Sequence, residues 1–250
     1  MSDIEKALAV FQGISSRDPV LATKYMDPKH YVEHNPHARD GVEGVKLYVE
    51  QIAADHPELK VIRAYQDGSY VFTQTDGLVL GDGTFFDVFR FEDGLIVEHW
   101  VFSAKAAPPN KSGHTQVDGP TEPKHDEDTE KNKSLVRDYY ETFHIDGRHD
   151  TLQQYFSGDR CVRHEPGVVD GIGEFMRDLE VLTRDRTIDK IRLLLGQGDF
   201  VFLVAEGTHQ GEPCAYIDLY RAENGKIVEH WGFPQQVPPP EMRKNDNGML

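Results

Sequence analysis

The chain has 250 residues, a length that predicts one large domain or two small ones. With 27 Lys and Arg against 43 Asp and Glu its net charge is −16, so it repels phosphate backbones and anionic lipid, and neither nucleic acid nor a membrane surface is an expected partner. Apolar residues make up 38%, enough for a core, but the longest apolar run, residues 200–205, is far short of the roughly 20 residues of a membrane helix.

The N-terminus, Met-Ser-Asp-Ile-Glu-Lys, has no basic region followed by an apolar stretch, so no secretory signal is read and the cytoplasm is the expected compartment. Ile4, Leu8, Phe11 and Ile14 recur at helical intervals and predict an amphipathic opening helix. A short second helix at 21–26 follows, then an extended piece carrying His34-Asn35-Pro36, then a third helix at 42–54. Strands are expected at 60–66, 70–80, 84–91 and 95–102, the last two joined by an Asp93-Gly94 hairpin turn. Residues 106–131 are rich in Pro, Gly, Asp, Glu, Lys and Thr. That composition cannot offset its own ordering entropy, and it predicts a surface linker with a domain boundary near residue 125. The pattern then starts again. Leu135, Tyr139 and Phe143 mark an opening helix, 151–156 a short one, His164 an extended piece and 172–182 a third helix. Strands follow near 187–196, 200–209, 213–221 and 226–233, with an Asn224-Gly225 turn. Cys161 and Cys214 sit in strand-like contexts and are expected as buried free thiols, with no disulfide and no zinc set.

The restart is a duplication. His34-x-Pro36 and Gly41 recur as His164-x-Pro166 and Gly171, an offset of 130. The run from Asp87 to Trp100 matches that from Asp218 to Trp231 at nine of fourteen positions, where random pairing gives on the order of one. Asn110-Lys-Ser-Gly113 is echoed by Asn245-Asp-Asn-Gly248, so the tails belong to the repeat unit. Two domains are expected, 1–125 and 126–250. Helices segregated before an antiparallel sheet predict an α+β fold, each copy a cone of N-terminal helices on a curved sheet around one apolar cavity.

Tyr31-Val-Glu-His34-Asn35-Pro36 with Asp40-Gly41, then Asp87-x-x-Arg90 and Gly94-Leu-Ile-Val-Glu98-His99-Trp100, resemble the SnoaL-like polyketide cyclases. They are especially similar to that family's small bacterial branch described as aldol-condensation-catalysing. The resemblance covers nearly all of each copy and implies the nuclear-transport-factor-2-like cone fold, which hosts enzymes, binding modules and assembly domains alike. It also implies an acid/base Asp directly after the Trp. Here those positions are Val101 and Gly232, neither of which can move a proton.

Among twelve histidines only two positions recur, His34 with His164 and His99 with His230. His34 and His164 read either as polar groups lining a cavity mouth or as loop-entry histidines bonded to backbone. For the last hairpin, a three-residue loop pairs Asp87 with His99, whereas a two-residue loop puts Asp87 opposite Trp100. The first register places Asp87, Phe89, His99 and Val101 on the concave face, and Asp218, Tyr220, His230 and Gly232 likewise. Facing carboxylates and imidazoles there suit proton transfer at carbon, with the competing reading a structural hydrogen bond. Arg90 and Arg221 are expected to pair with Glu98 and Glu229, and Trp100 and Trp231 to act as core or interface anchors. His30-x-x-x-His34 has zinc-ligand spacing, but its extended context does not converge, so no metal and no cofactor are expected.

The expected function is cofactor-independent aldol cyclisation, isomerisation or related proton transfer on a small apolar carbonyl compound. The alternative is a non-catalytic binding or assembly module of the same fold. The first copy, with Asp87 among Phe85, Phe89 and Phe91, is expected to hold the better site. The copies are expected to pair as an intrachain pseudo-dimer, with which homodimerisation of whole chains is compatible.

Overall fold

The computed structural model describes the chain except residues 53–56 and 80, and except the side chains at 178 and 180–182. The expected helix end at Ala54, the expected strand end at Leu80 and His56 lie outside the described residues. The chain divides into two compact units, Met1–Ala106 with Pro238–Leu250, and Ala107–Val237.

In unit 1, α1 (Asp3–Ser16) starts at a reciprocal cap, in which Glu5 N–H donates to Ser2 Oγ at 3.2 Å and Ser2 N–H donates to the Glu5 carboxylate at 2.6 Å. The second helix, α2 (Pro19–Ala22), begins earlier than the apolar spacing suggests, because Asp18 caps it and Pro19 fits its first turn. After β1 (Val32–Glu33) and α3 (Gly41–Ile52) come β2 (Glu58–Asp67), β3 (Tyr70–Leu78), β4 (Asp82–Glu92) and β5 (Leu95–Lys105), in the order β1-β5-β4-β3-β2. Only β1 is parallel to its neighbour. The helices close over Val71, Phe89, Phe91 and Ile96 of the sheet with Val10, Phe11, Val45 and Val49.

Unit 2 repeats this order. Its first helix, α4 (Thr129–Tyr139), runs into a widened π turn at Tyr140–Ile145, and the expected short helix is a tight 3-10 turn, His149–Gln154. Then come β6 (Val162–Arg163), α5 (Gly173–Arg184), β7 (Arg186–Gln197), β8 (Phe200–His209), β9 (Glu212–Glu223) and β10 (Lys226–Gln236), ordered β6-β10-β9-β8-β7. The expected α+β class is the one observed. Cys161 and Cys214 are both buried free thiols.

The unit limits differ from the expected boundary between residues 125 and 126, which falls inside unit 2. The segment after β5 is held within unit 2 by polar groups. Asn110 Nδ2 donates to the Arg163 carbonyl at 2.6 Å, Asp170 N–H to Ser112 Oγ at 2.8 Å and Lys124 N–H to Asp199 Oδ1 at 2.8 Å. The C-terminal tail is held within unit 1 in the same manner, Asn245 Nδ2 donating to the carbonyls of Asn35 and Ala38 at 2.8 and 2.9 Å. Asn110 and Asn245, the residues of the sequence echo, do the same work. Low apolar content misled the linker reading because hydrogen bonds to backbone help to fix these segments, and Met249 of the tail is buried as well.

Candidate active site

The two hairpins set the site. Asp93 and Gly94 both have positive φ (49° and 77°), a two-residue turn that pairs Glu92 with Leu95. A bulge then inserts Val97, so that Arg90 pairs with Glu98, Phe89 with His99 and Asp87 with Val101. Neither expected register is observed. The actual one lies two residues from the three-residue-loop register, and an even shift preserves the faces. Asp87, Phe89, His99 and Val101 therefore share one face as expected, and His99 reaches diagonally to Asp87, Nε2 to Oδ1 at 3.0 Å. Unit 2 repeats the bulge after Ile227, pairing Tyr220 with His230 and Asp218 with Gly232. There His230 Nε2 lies 2.7 Å from Asp218 Oδ1.

Each imidazole also meets a second carboxylate: Glu33 in unit 1, which the sequence reading missed, and Glu165 in unit 2, which that reading placed beside His164 and near Asp218. His99 Nδ1 is 3.2 Å from Glu33 Oε1, and His230 Nδ1 is 3.0 Å from Glu165 Oε1. Burial alone would lower both rings, but the flanking carboxylates, Glu33 with Asp87 and Glu165 with Asp218, outweigh it and hold His99 up at about 10 and His230 at about 9. Both are imidazolium ions at neutral pH. Burial raises Asp87 above its ordinary value, against the hydrogen bond and charge of His99. Glu165, buried but ringed by His230 and Arg163, is held well below that range. A ring lies flat on each imidazole, Phe89 on His99 with centroids 4.5 Å apart and Tyr220 on His230 at 4.6 Å. Phe89 is fully buried, also edge-on to Phe11, and so braces His99 from the core side.

The surroundings of the two aspartates differ. Beside Asp87 on β3 lie Thr73, its direct partner, and Thr75 on the same face. Both are buried, and neither hydroxyl finds a hydrogen-bond partner among the described residues. Beside Asp218 the corresponding residues are Leu203 and Ala205, and the polar partner is Tyr140, whose hydroxyl donates to Asp218 Oδ2 at 2.9 Å. The π turn begins at Tyr140. At Gly232 an added Cβ would lie 2.5 Å from Asp218 Oδ1 and 2.9 Å from His230 Nε2. The acidic residue implied by the family resemblance has no room there.

His34 and His164 are not brought to these clusters. They lie with Glu98 and Trp100, or Glu229 and Trp231, on the other face of the sheet, stacked on the indoles at 4.5 and 4.4 Å. His34 Nδ1 bonds the Gly248 carbonyl at 2.8 Å, the backbone-bonded alternative of the sequence reading. His164 Nδ1 lies 3.0 Å from the Thr115 carbonyl and 2.7 Å from Asp118 Oδ1. Arg90 pairs with Glu98 and Arg221 with Glu229, as expected. Exposed His30 turns to Asp27, away from His34.

A cavity of about 340 Å³ in unit 1 is lined by His37, Ala38, Arg39, Leu47, Tyr48 and Lys244, among others. Tyr48 in its wall is near enough to Glu33 and Asp87 to feel their charge. Burial, opposed by a hydrogen bond with Asn35 and reinforced by the Glu33 and Asp87 charges, pushes its phenol up to about 12.

No family model and no curated protein matches the chain. Among the described residues no helix is long and apolar enough to cross a membrane. Solved structures do align. A cystatin-fold protein from Novosphingobium aromaticivorans is 20% identical over 41% of this chain and 98% of its own, with a TM-score of 0.37. A nuclear-transport-factor-2-like protein from Cytophaga hutchinsonii is 15% identical over 42% and 91%, TM-score 0.37. A protein with a ketosteroid-isomerase-like fold from Catenulispora acidiphila is 16% identical over 39% and 84%, TM-score 0.35. With its helices first and its five-stranded sheet after them, each unit has the α+β architecture expected from the sequence.

Proposed function

We propose that unit 1 is a proton-transfer site for a small carbonyl compound and that Asp87 is its acid/base. The observation that carries this reading is the pair of buried hydroxyls of Thr73 and Thr75, without a partner among the described residues, on the strand beside a carboxylate whose proton affinity burial has raised. Leaving a buried hydroxyl unpaired costs about 1–3 kcal/mol, a penalty relieved when a substrate oxygen accepts from it. Asp87 takes the proton from the carbon next to the carbonyl. The C–H electron pair moves into the enolate, whose oxygen accepts from Thr73 or Thr75. Asp87 then returns the proton to another carbon in an isomerisation, or to the new alkoxide oxygen after aldol closure. His99, an imidazolium held by Glu33, steadies the Asp87 carboxylate between the two steps. The cavity at Tyr48 is the approach, and its His37, Arg39 and Lys244 rim suits a substrate bearing an anionic group. In unit 2 the place of the threonine hydroxyls is taken by Leu203 and Ala205, and Tyr140 occupies Asp218. That pair is the structural member of the two.

The test is hydrogen–deuterium exchange at the acidic carbons of acetylacetone, cyclohexane-1,3-dione and their carboxylated analogues, followed by proton NMR in D₂O. Asp87→Asn should slow catalysed exchange ~10²–10⁴-fold, and Asp218→Asn should leave it near the wild-type rate. Loss only in Asp218→Asn moves the activity to unit 2. Ligand binding without exchange by the wild-type chain favours the non-catalytic binding module instead.

A further inference from the structure

On the other face of unit 2's sheet, apart from Asp218 and His230, two histidines converge on one carboxylate. We propose that His114, Asp118 and His164 form a binding site for a divalent transition cation, Zn²⁺ by preference, that clips the segment after β5 onto unit 2. Their donor atoms all lie within 4.8 Å of one another. His164 Nδ1 is 2.7 Å from Asp118 Oδ1, and His114 Nδ1 is 3.6 Å from Asp118 Oδ2. The far nitrogen of each ring is held by a different acid, His114 Nε2 by Asp170 at 3.1 Å and His164 Nε2 by Glu229 at 2.9 Å. Metal-ligating histidines are oriented in this way, one nitrogen on the cation and the other on a carboxylate that fixes ring and tautomer.

The ligand set decides the ion. Two imidazoles and a carboxylate suit Zn²⁺ and its first-row neighbours, whereas Mg²⁺ and Ca²⁺ want oxygen. Ligands about 2.0–2.2 Å from Zn²⁺ in a tetrahedron stand roughly 3.4 Å apart, so the His164–Asp118 contact opens by several tenths of an ångström on binding. His164 cannot swing away, because it is stacked on Trp231, while Asp118 and His114 are partly exposed and can give. Trp231 Nε1 also donates to the Asp118 carbonyl at 3.0 Å, holding that residue at the edge of the indole on which His164 stacks. Cation entry displaces the proton shared by His164 Nδ1 and Asp118 to solvent, and the fourth position is left for water. His164 Nδ1 and the matching His34 Nδ1 of unit 1 both meet a backbone carbonyl, that of Thr115 or Gly248, but among the described residues only His164 Nδ1 also meets a carboxylate, which makes His34 an internal control.

The full-length chain, stripped with EDTA and dialysed free of it, should bind one equivalent of Zn²⁺ by calorimetry and release protons in step. Co²⁺ in its place should give the visible absorption of a tetrahedral site, and Mg²⁺ should give no heat. His114→Ala, at a partly exposed position, should weaken Zn²⁺ at least tenfold, and Asp170→Asn should weaken it by ~10–100-fold by loosening the His114 ring that Asp170 orients. Binding of Zn²⁺ unchanged in His114→Ala, or no stoichiometric binding by the wild-type chain, would overturn the site. Asp87→Asn should bind Zn²⁺ as the wild type does, so this proposal stands or falls apart from the proton-transfer reading.

Discussion

In unit 1 the second carboxylate on the buried imidazole comes from Glu33, one residue before His34. In unit 2 it comes from Glu165, one residue after His164, and the position matching Glu33 is Arg163, which pairs with Glu165. Two copies of one sequence thus place an acid in the same spot from opposite sides of a shared histidine. A buried imidazolium needs a counter-charge within reach, and the backbone on either side of His34 or His164 can supply it. The charge around the ring is retained while the alignment column is not. The aspartates diverge in the other direction, with hydroxyls that have no partner among the described residues beside Asp87 and a filled hydrogen bond from Tyr140 on Asp218.

Each unit contains one tryptophan, Trp100 or Trp231, so fluorescence of single-tryptophan variants follows each unit separately. The largest expected effect is from Phe89→Ala, which empties a fully buried ring position against His99 and Phe11. Unfolding in urea should show a loss of about 3–5 kcal/mol from the Trp100 transition, and Tyr220→Ala a comparable loss from the Trp231 transition. A marked inequality would show that the two stacked rings are not equivalent supports.

Gly232→Ala should cost unit 2 about 1–3 kcal/mol by overpacking, since the new Cβ meets Asp218, His230 and the Ile217 carbonyl. Val101→Ala in unit 1 removes volume instead and should leave the Asp87–His99 bond intact. Thermal melts separate them, and a harmless Gly232→Ala would mean that the Asp218–His230 pair is easily moved. Smaller again, Tyr140→Phe should cost about 1.5 kcal/mol by removing the donor on Asp218, and Tyr31→Phe a similar amount through Glu33, which Tyr31 bonds at 2.6 Å.

The finest distinction is in pH. Both histidines titrate above their ordinary value of about 6.5, so each favours the folded state fully below that pH. The contribution is lost as pH rises through about 9 for His230 and about 10 for His99. Histidine NMR should show His230 titrating first, and the Trp231 transition should weaken at lower pH than the Trp100 transition. Glu33→Gln should bring His99 down without moving His230, and Glu165→Gln should do the reverse. Cross-effects between the units would break the comparison.

Period-two alternation was enough to put Asp87, Phe89, His99 and Val101 on one face, because any even register error preserves it. The same rule could not find the bulge at Val97, which follows no residue signature in this hairpin and is decided by how Ile96 and His99 both reach the core side. Glu33 went unread because its neighbour His34 carried the repeat signal, and a carboxylate that changes sides of that histidine leaves no matched column. Arg90–Glu98 and Arg221–Glu229 were legible because long opposite charges on adjacent strands pair wherever the hairpin forms.

What the sequence determined by itself is what local chemistry encodes: the repeat, the helices before strands, the tight turns at Asp93-Gly94 and Asn224-Gly225, and the apolar faces. Tertiary structure alone decided which unit each tail joins, which acid reaches each imidazole, and which hydroxyls are left unpaired. Those outcomes depend on contacts between residues far apart in the chain, where one bulge or one hydrogen bond to a backbone carbonyl selects among arrangements that local propensity does not distinguish.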